Sequence, residues 1–160
     1  MKTEQSPPLV HELIQLITHG NAHAPLEEAL EGLRPELRCQ IPEKLPYSIW
    51  QVLEHIRITQ WDIVEFCLSA SHQSPKWPDG YWTAPVKTVD DKIWKASLAQ
   101  IQQDRERFLA LLRDPEINLF KPFAHGEGQN LFREALLIAD HNSYHIGQII
   151  IIRRLLGNWG

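Results

Sequence analysis

An all-α fold, a four-helix bundle, is what the sequence predicts, and three observations predict it. Four long segments repeat apolar residues at helical spacing. Those segments open or close on residues that cap helices. No run alternates Val, Ile, Thr and aromatic residues with polar ones, as a half-buried strand would. At 160 residues, 43% hydrophobic and 22% charged, the chain is long and apolar enough to bury a core, and one domain spanning 1-160 is expected.

The first helix is expected from about Pro7 to Glu31. Ser6 is its N-cap, and Pro7 takes the first helical position, where a missing N–H costs nothing. Gly20 and Pro25, within "HGNAHAP", make it either one kinked helix or two short ones. The second helix, Ser48 to Ser69, opens on "SIWQ", a capping box of Ser48 and Gln51. The third, Thr88 to Arg113, opens on "TVDD", with Thr88 and Asp91 in the same relation, and stops before Asp114-Pro115. The fourth, Asn130 to Leu156, follows the glycine-rich "HGEGQN" and ends at Gly157. Helices of ~22 to 27 residues are about 33 to 40 Å long and suit a bundle. Connections of about 16 to 18 residues exceed the turns of a simple up-and-down bundle, so a crossover between parallel neighbours is feasible.

Composition narrows the function. The formal charge of -4 supplies no positive field, so nucleic acid and anionic membrane surfaces are not expected partners. No apolar run approaches the ~20 residues of a membrane span, and "MKTEQSPPLV" lacks the apolar region of a signal peptide. Cys39 and Cys67 fit no zinc-ribbon or CxxC spacing, so two free thiols in a reducing cytoplasm are expected.

Eight histidines against one methionine is the unusual feature. On a helix of about 100° per residue, Glu134, Leu137, Ile138, Tyr144, His145, Gln148, Ile152 and Leu155 all lie within about 60° of His141. That stripe is expected to face the bundle. Ala139, Ser143 and Gly147, on the far side, are small enough for another helix to approach. In the second helix Val52, Ile56, Thr59, Ile63 and Phe66 form one stripe with His55 at its edge. Trp50, Leu53, Trp61, Val64 and Leu68 form another, and this two-sided apolarity suits a central helix or a homodimer interface.

Histidines at i and i+4 bring two ring nitrogens near one point, and an inward histidine from a neighbouring helix supplies a third. His55, His141 and His145 fit that pattern; the alternative for each is a core histidine bonded to a backbone or side-chain partner. The spacing also matches a zincin HExxH, but Asn142 stands where the general-base glutamate belongs, which excludes the metalloprotease. Glu54, about 100° from His55 on a helix, is expected on the surface or behind the ligating histidines. Glu134 is the carboxylate candidate, or else simply a charge favoured by the dipole near a helix N-terminus; Glu134, Tyr144 and Gln148 are candidates for ligand support or substrate contact, and His72 and His125 read as solvated. Trp77, Tyr81 and Trp82 in "KWPDGYWTAP" can cap one end of the bundle or line a pocket. Arg153 and Arg154 are explained by solvation and the helix dipole.

"WQVLEHIRITQWDIVEF" (Trp50 to Phe66), "WPDGYW" and "LFREALLIADHNSYHIGQIIIIRRLLGNW" (Leu131 to Trp159) together resemble the DinB-like superfamily, also described as YfiT-like metal-dependent hydrolases. The resemblance covers most of the chain and is strongest at EH in the second helix and HNxYHxGQ in the fourth. It implies a bundle of up-down-down-up topology and a divalent metal on three histidines, carried over position by position to His55, His141 and His145. Imidazole ligands suit zinc, nickel, iron or copper. The resemblance implies either a metal-dependent hydrolase or kinship with the transferases and isomerases of that superfamily that use a small thiol such as bacillithiol or mycothiol, and in either case a small-molecule substrate. A non-catalytic bundle, holding a structural metal or serving as an assembly module, is the alternative.

Overall fold

The computed structural model describes residues 7–159, and every regular element among them is helical. Five α-helices, α1 (Pro7–His19), α2 (Leu26–Leu30), α3 (Ile49–Leu68), α4 (Asp91–Arg113) and α5 (Leu131–Leu155), are supplemented by 3-10 turns at Pro35–Leu37 and Asp79–Tyr81. Of the two alternatives for the first segment, two short helices form. Gly20 takes a φ of +69°, a left-handed conformation that suits glycine, and its α-carbon packs against the His23 ring, so α1 stops and Pro25 starts α2. The Ser6 cap lies outside the described residues.

The capping box of α3 forms: Gln51 N–H donates to Ser48 Oγ at 3.3 Å, and Ser48 N–H donates to Gln51 Oε1 at 3.1 Å. For α4 the cap is Asp90 rather than Thr88; its carboxylate accepts from Ile93 N–H at 2.7 Å. Asp91, freed from the expected box, pairs with Arg38 Nη1 at 2.6 Å. Asn130 caps α5 through Arg133 N–H.

α1 and α3 each pack mainly against α4 and α5, so the order around the bundle is α1, α4, α3, α5. The sequence neighbours α1 and α3 are diagonal, which an up-and-down ring does not allow and the long connections do. The interior has two apolar clusters. One gathers Ile49, Val52, Leu53 and Ile56 of α3 with Trp94 and Ile101 of α4 and Ile146, Ile149 and Ile152 of α5. The other gathers Ile63, Val64, Phe108, Leu109, Leu112, Leu131 and Ile138 with Leu13 of α1. Gln60, only 1% exposed, lies between them in sequence; its Nε2 donates to the Ile101 carbonyl at 2.6 Å and its Oε1 accepts from Asn142 Nδ2 at 3.0 Å. With donor and acceptor both occupied, the amide escapes the penalty of an unpaired buried polar group.

Several expected faces come out differently. On α5, Tyr144 and Leu155 are 65% and 58% exposed, so the buried face is turned away from them, toward Ala135, Ile138, Ile149 and Ile152. Gly147 has open space beside its α-carbon, so no helix approaches closely there, whereas Ala139 and Ser143 do meet the end of α1 across a small cavity. Arg153 is buried rather than solvated: Nη1 donates to the Ala29 carbonyl at 2.8 Å, and the guanidinium lies over the Trp159 ring. Most of the Trp50 stripe is covered within the chain, with Trp50 6.0 Å from the Trp94 ring and Arg38 over that ring, so the stripe no longer argues for a homodimer. Among the described residues no helix is long and apolar enough to cross a membrane.

Because Trp50 is filled against Trp94 rather than against a second copy, Trp50→Ala is expected to destabilise the chain by about 3 kcal/mol, a typical cost of emptying a buried aromatic site. Thermal melting measures the loss. Light scattering of wild type and variant should return the same mass; a dimer that falls apart in the variant would restore the stripe as an interface.

Candidate metal centre

His55 stands on α3, one turn beyond the capping box, and His141 and His145 stand one turn apart on α5. These two helices pack together, and one nitrogen from each of the three rings lies within 4.8 Å of the others. His55 Nε2 and His141 Nε2 are 3.0 Å apart.

The opposite nitrogens explain which atoms point inward. His55 Nδ1–H donates to the Tyr81 carbonyl at 2.9 Å, and a carbonyl can only accept, so the neutral ring keeps its lone pair on Nε2. His145 Nδ1–H donates to Gln148 Oε1 at 2.7 Å, and Gln148 Nε2 donates in turn to the Tyr47 hydroxyl at 2.8 Å. His141 Nδ1 faces Asn142 Oδ1 at 3.5 Å, a longer and weaker contact. At 3.0 Å the His55 and His141 Nε2 atoms fit two arrangements: a neutral bond in which His141 Nε2–H donates to the His55 Nε2 lone pair, or two lone pairs turned to one ion. Two ligands bound to one ion at ~2.0–2.1 Å lie at most about 4.2 Å apart, so the pair fits a shared ion.

Electrostatics favour the neutral, ligating form. Burial pushes His141 down to about 3, helped by its neighbours His145 and His55. Burial likewise takes His145 to about 4, against the support of Gln148, and lowers His55. A neutral imidazole is what a metal requires. These three histidines can hold a metal ion.

An aromatic wall closes one side. Trp82 stacks flat on His55, ring centres 4.0 Å apart and 6° from parallel, and Tyr47 stacks on Trp82 at 5.8 Å. Tyr144 meets His145 edge-on at 5.0 Å and is otherwise exposed, at the rim. Of the other candidates, Gln148 supports His145, while Glu134 is buried and bonded to Arg133, with Asp62 as a further charged neighbour, and does not join the histidines. Glu54 is buried, not on the surface, in a two-bond pair with Arg57. His72 is not solvated: Nε2–H donates to Asp62 Oδ1 at 2.7 Å. His125 is exposed but bonds the Phe66 carbonyl. Tyr81 and Trp82 reach the site, whereas Trp77 is 67% exposed.

Sequence reasoning missed Tyr47, Gln60 and Asp62. Tyr47 carries no pattern, since a loop supplies it. Gln60 and Asp62 did leave a signal, as polar residues in a helix that is apolar on two sides.

Compared with models of protein families, residues 20–149 match the DinB superfamily. No curated protein and no solved structure matches the chain.

Buried neutral histidines make the metal-free protein acid-sensitive. In the unfolded chain they titrate near ~6.5, whereas His141 and His145 in the fold stay neutral down to about 3 and 4. The unfolded state therefore binds more protons in that window, and stability, complete above pH ~6.5, falls as pH drops toward the folded values. Thermal melts in chelator-treated buffer should be flat from about pH 8 to 7 and decline between about pH 6.5 and 5, above the range of ordinary carboxylates. Changing both His141 and His145 to Ala should flatten that decline.

Proposed function

Because the chain belongs to the DinB superfamily, we propose that it is a metal-dependent enzyme of the cytoplasm, a hydrolase or a small-thiol-dependent transferase acting on a small molecule, with a divalent ion held by His55, His141 and His145. One observation carries this: three neutral imidazoles turn their free nitrogens to one point while protein oxygens face the other nitrogens. Three uncharged ligands would leave the ion its full charge and a free position, where it supplies Lewis acidity that lowers the pKa of a bound water or thiol.

The chain's own groups do the rest. Gln148, braced by Tyr47, holds the His145 ring, and the Tyr81 carbonyl holds His55, so the ligands are oriented before anything binds. Trp82, stacked on His55, and Tyr47, stacked on Trp82, cover one side of the site. Tyr144, exposed beside His145, is the group at the rim best placed to touch substrate. Zinc, nickel and iron all suit this ligand set. A second reading, a structural metal in a non-catalytic bundle, is favoured by Trp82 lying flat against His55 and closing that side.

Metal analysis of protein purified without a histidine tag is expected to find about one divalent ion per chain, as for a three-histidine site, and none after changing His141 and His145 to Ala. Wild type without bound metal would remove this function. Turnover of ester, amide or electrophilic substrates, with and without an added small thiol, separates hydrolase from transferase; metal without turnover on either arm, and a melting temperature that falls on metal removal, would favour the structural reading.

A further inference from the structure

His55 differs from the other two histidines in the source of its support. Asn142 and Gln148 are carried by the same helix as the rings they face, but the partner of His55 is a backbone carbonyl on the connection between α3 and α4. A carbonyl on a connection orients a ring only if the connection is itself fixed. Much of it offers little apolar anchorage: Lys76, Trp77, Pro78, Asp79 and Gly80 are all exposed.

Polar anchors on α3 hold it instead. Gln51 Nε2 donates to the Thr83 carbonyl at 3.1 Å. Tyr81 Oη–H donates to Asp62 Oδ2 at 2.6 Å, and the other carboxylate oxygen, Oδ1, accepts from His72 Nε2. Gln51, His55 and Asp62 fall within about 40° of one another on α3, and Asp62 is two turns, about 10.5 Å, beyond His55. The connection thus runs along one face of α3 and is tied to it through Thr83, the Tyr81 carbonyl and the Tyr81 phenol. Asp62 is only 9% exposed, and a carboxylate so placed needs partners to offset its desolvation. Its partners come from the connection, Tyr81 and His72, and not from a neighbouring bundle helix.

We propose that Asp62 is a positioning residue for the metal centre: by holding the Tyr81 phenol, it fixes the carbonyl that selects the Nδ1–H tautomer of His55 and aims Nε2 at the ion. The proposal rests on the three histidines being the metal site. Asp62 itself is bonded to Tyr81 and His72 and to none of His55, His141 and His145.

Tyr81→Phe tests it most gently, because it deletes one hydroxyl and keeps the ring and the carbonyl. Asp62→Ala removes the anchor, and Asp62→Asn restores an acceptor for the phenol. Glu65→Gln is the control, since Glu65 is an α3 carboxylate paired with Arg107 at 2.6 Å and not with the connection. Three quantities are read: Co(II) affinity by chelator competition, the visible absorption of the Co(II) form, and the ¹⁵N shifts of His55 in metal-free protein. Tyr81→Phe and Asp62→Ala are expected to weaken Co(II) binding about 10-fold, the size of effect typical of groups that orient ligands. They should also alter the Co(II) absorption and move His55 from the Nδ1–H tautomer to a mixture. Asp62→Asn should recover part of each change, and Glu65→Gln should change none. If Tyr81→Phe and Asp62→Ala lower only the melting temperature, leaving affinity, absorption and His55 shifts at wild-type values, Asp62 is merely structural and the proposal falls. Should Asp62→Ala fail to fold, Tyr81→Phe decides alone. Wild type that binds no Co(II) would overturn the metal site instead, and the His55 shifts would still decide whether the anchor sets the tautomer.

Discussion

The buried amide, imidazole and carboxylate groups along α3 and α5 are each held by a partner, although Thr59 Oγ1 nearby is not, and the need for those partners organises much of the rest. Long helices with apolar faces could fill their interior with aliphatic side chains throughout. Here Gln60, His55, His145 and Asp62 are buried among them, and each would cost a few kcal/mol if left unpaired. The chain meets the requirement in two ways. Gln60 bonds across to α4 and α5, through the Ile101 carbonyl and Asn142, between two apolar clusters. The histidines and Asp62 sit closer to the surface and take partners from α5 itself, from Tyr47 and from the α3–α4 connection.

The long connections follow from the same constraint. A two-residue turn between α3 and α4 could not bring a carbonyl back to His55 near the start of α3. A connection that returns along the helix can, and it carries Trp82 with it, so the residues that orient the ligand also wall the site. The cost is exposed apolar surface on that connection, as at Trp77, and the return is a histidine held in one tautomer. The turned face of α5 belongs here too. His141 lies at the edge of the buried face, which keeps the free nitrogens near the protein surface and Tyr144 at the rim.

Much of the fold was legible because helix ends and apolar stripes are local. The Ser48–Gln51 box, the Asn130 cap and the break at Gly20 depend on residues within one turn. The His141 and His145 pair was legible for a similar reason, since i, i+4 spacing fixes a shared face whatever the rest of the chain does, and His55 joined it through its place at the edge of an apolar stripe and the family resemblance. Where the local rule offered two solutions the sequence could mislead: Asp90, two residues beyond Thr88, accepts the first-turn N–H, and Asp91 goes to Arg38. His72 and Arg153 read as solvated because their type usually is, and each is held by a partner that supplies a bond, Asp62 for the one and the Ala29 carbonyl for the other.

By itself, then, the sequence determined the all-helical class, the starts of α3 and α5 and the shared face of His141 and His145, because capping and helical periodicity act over a few residues, while the family resemblance joined His55 to that pair. Tertiary structure alone decided which helices are neighbours, which side of α5 is buried, that Trp50 packs inside the chain, and that Tyr81, Trp82, Tyr47 and Asp62 gather around the histidines. Those outcomes depend on contacts between residues far apart in the chain, and no local period records where a connection of this length will return.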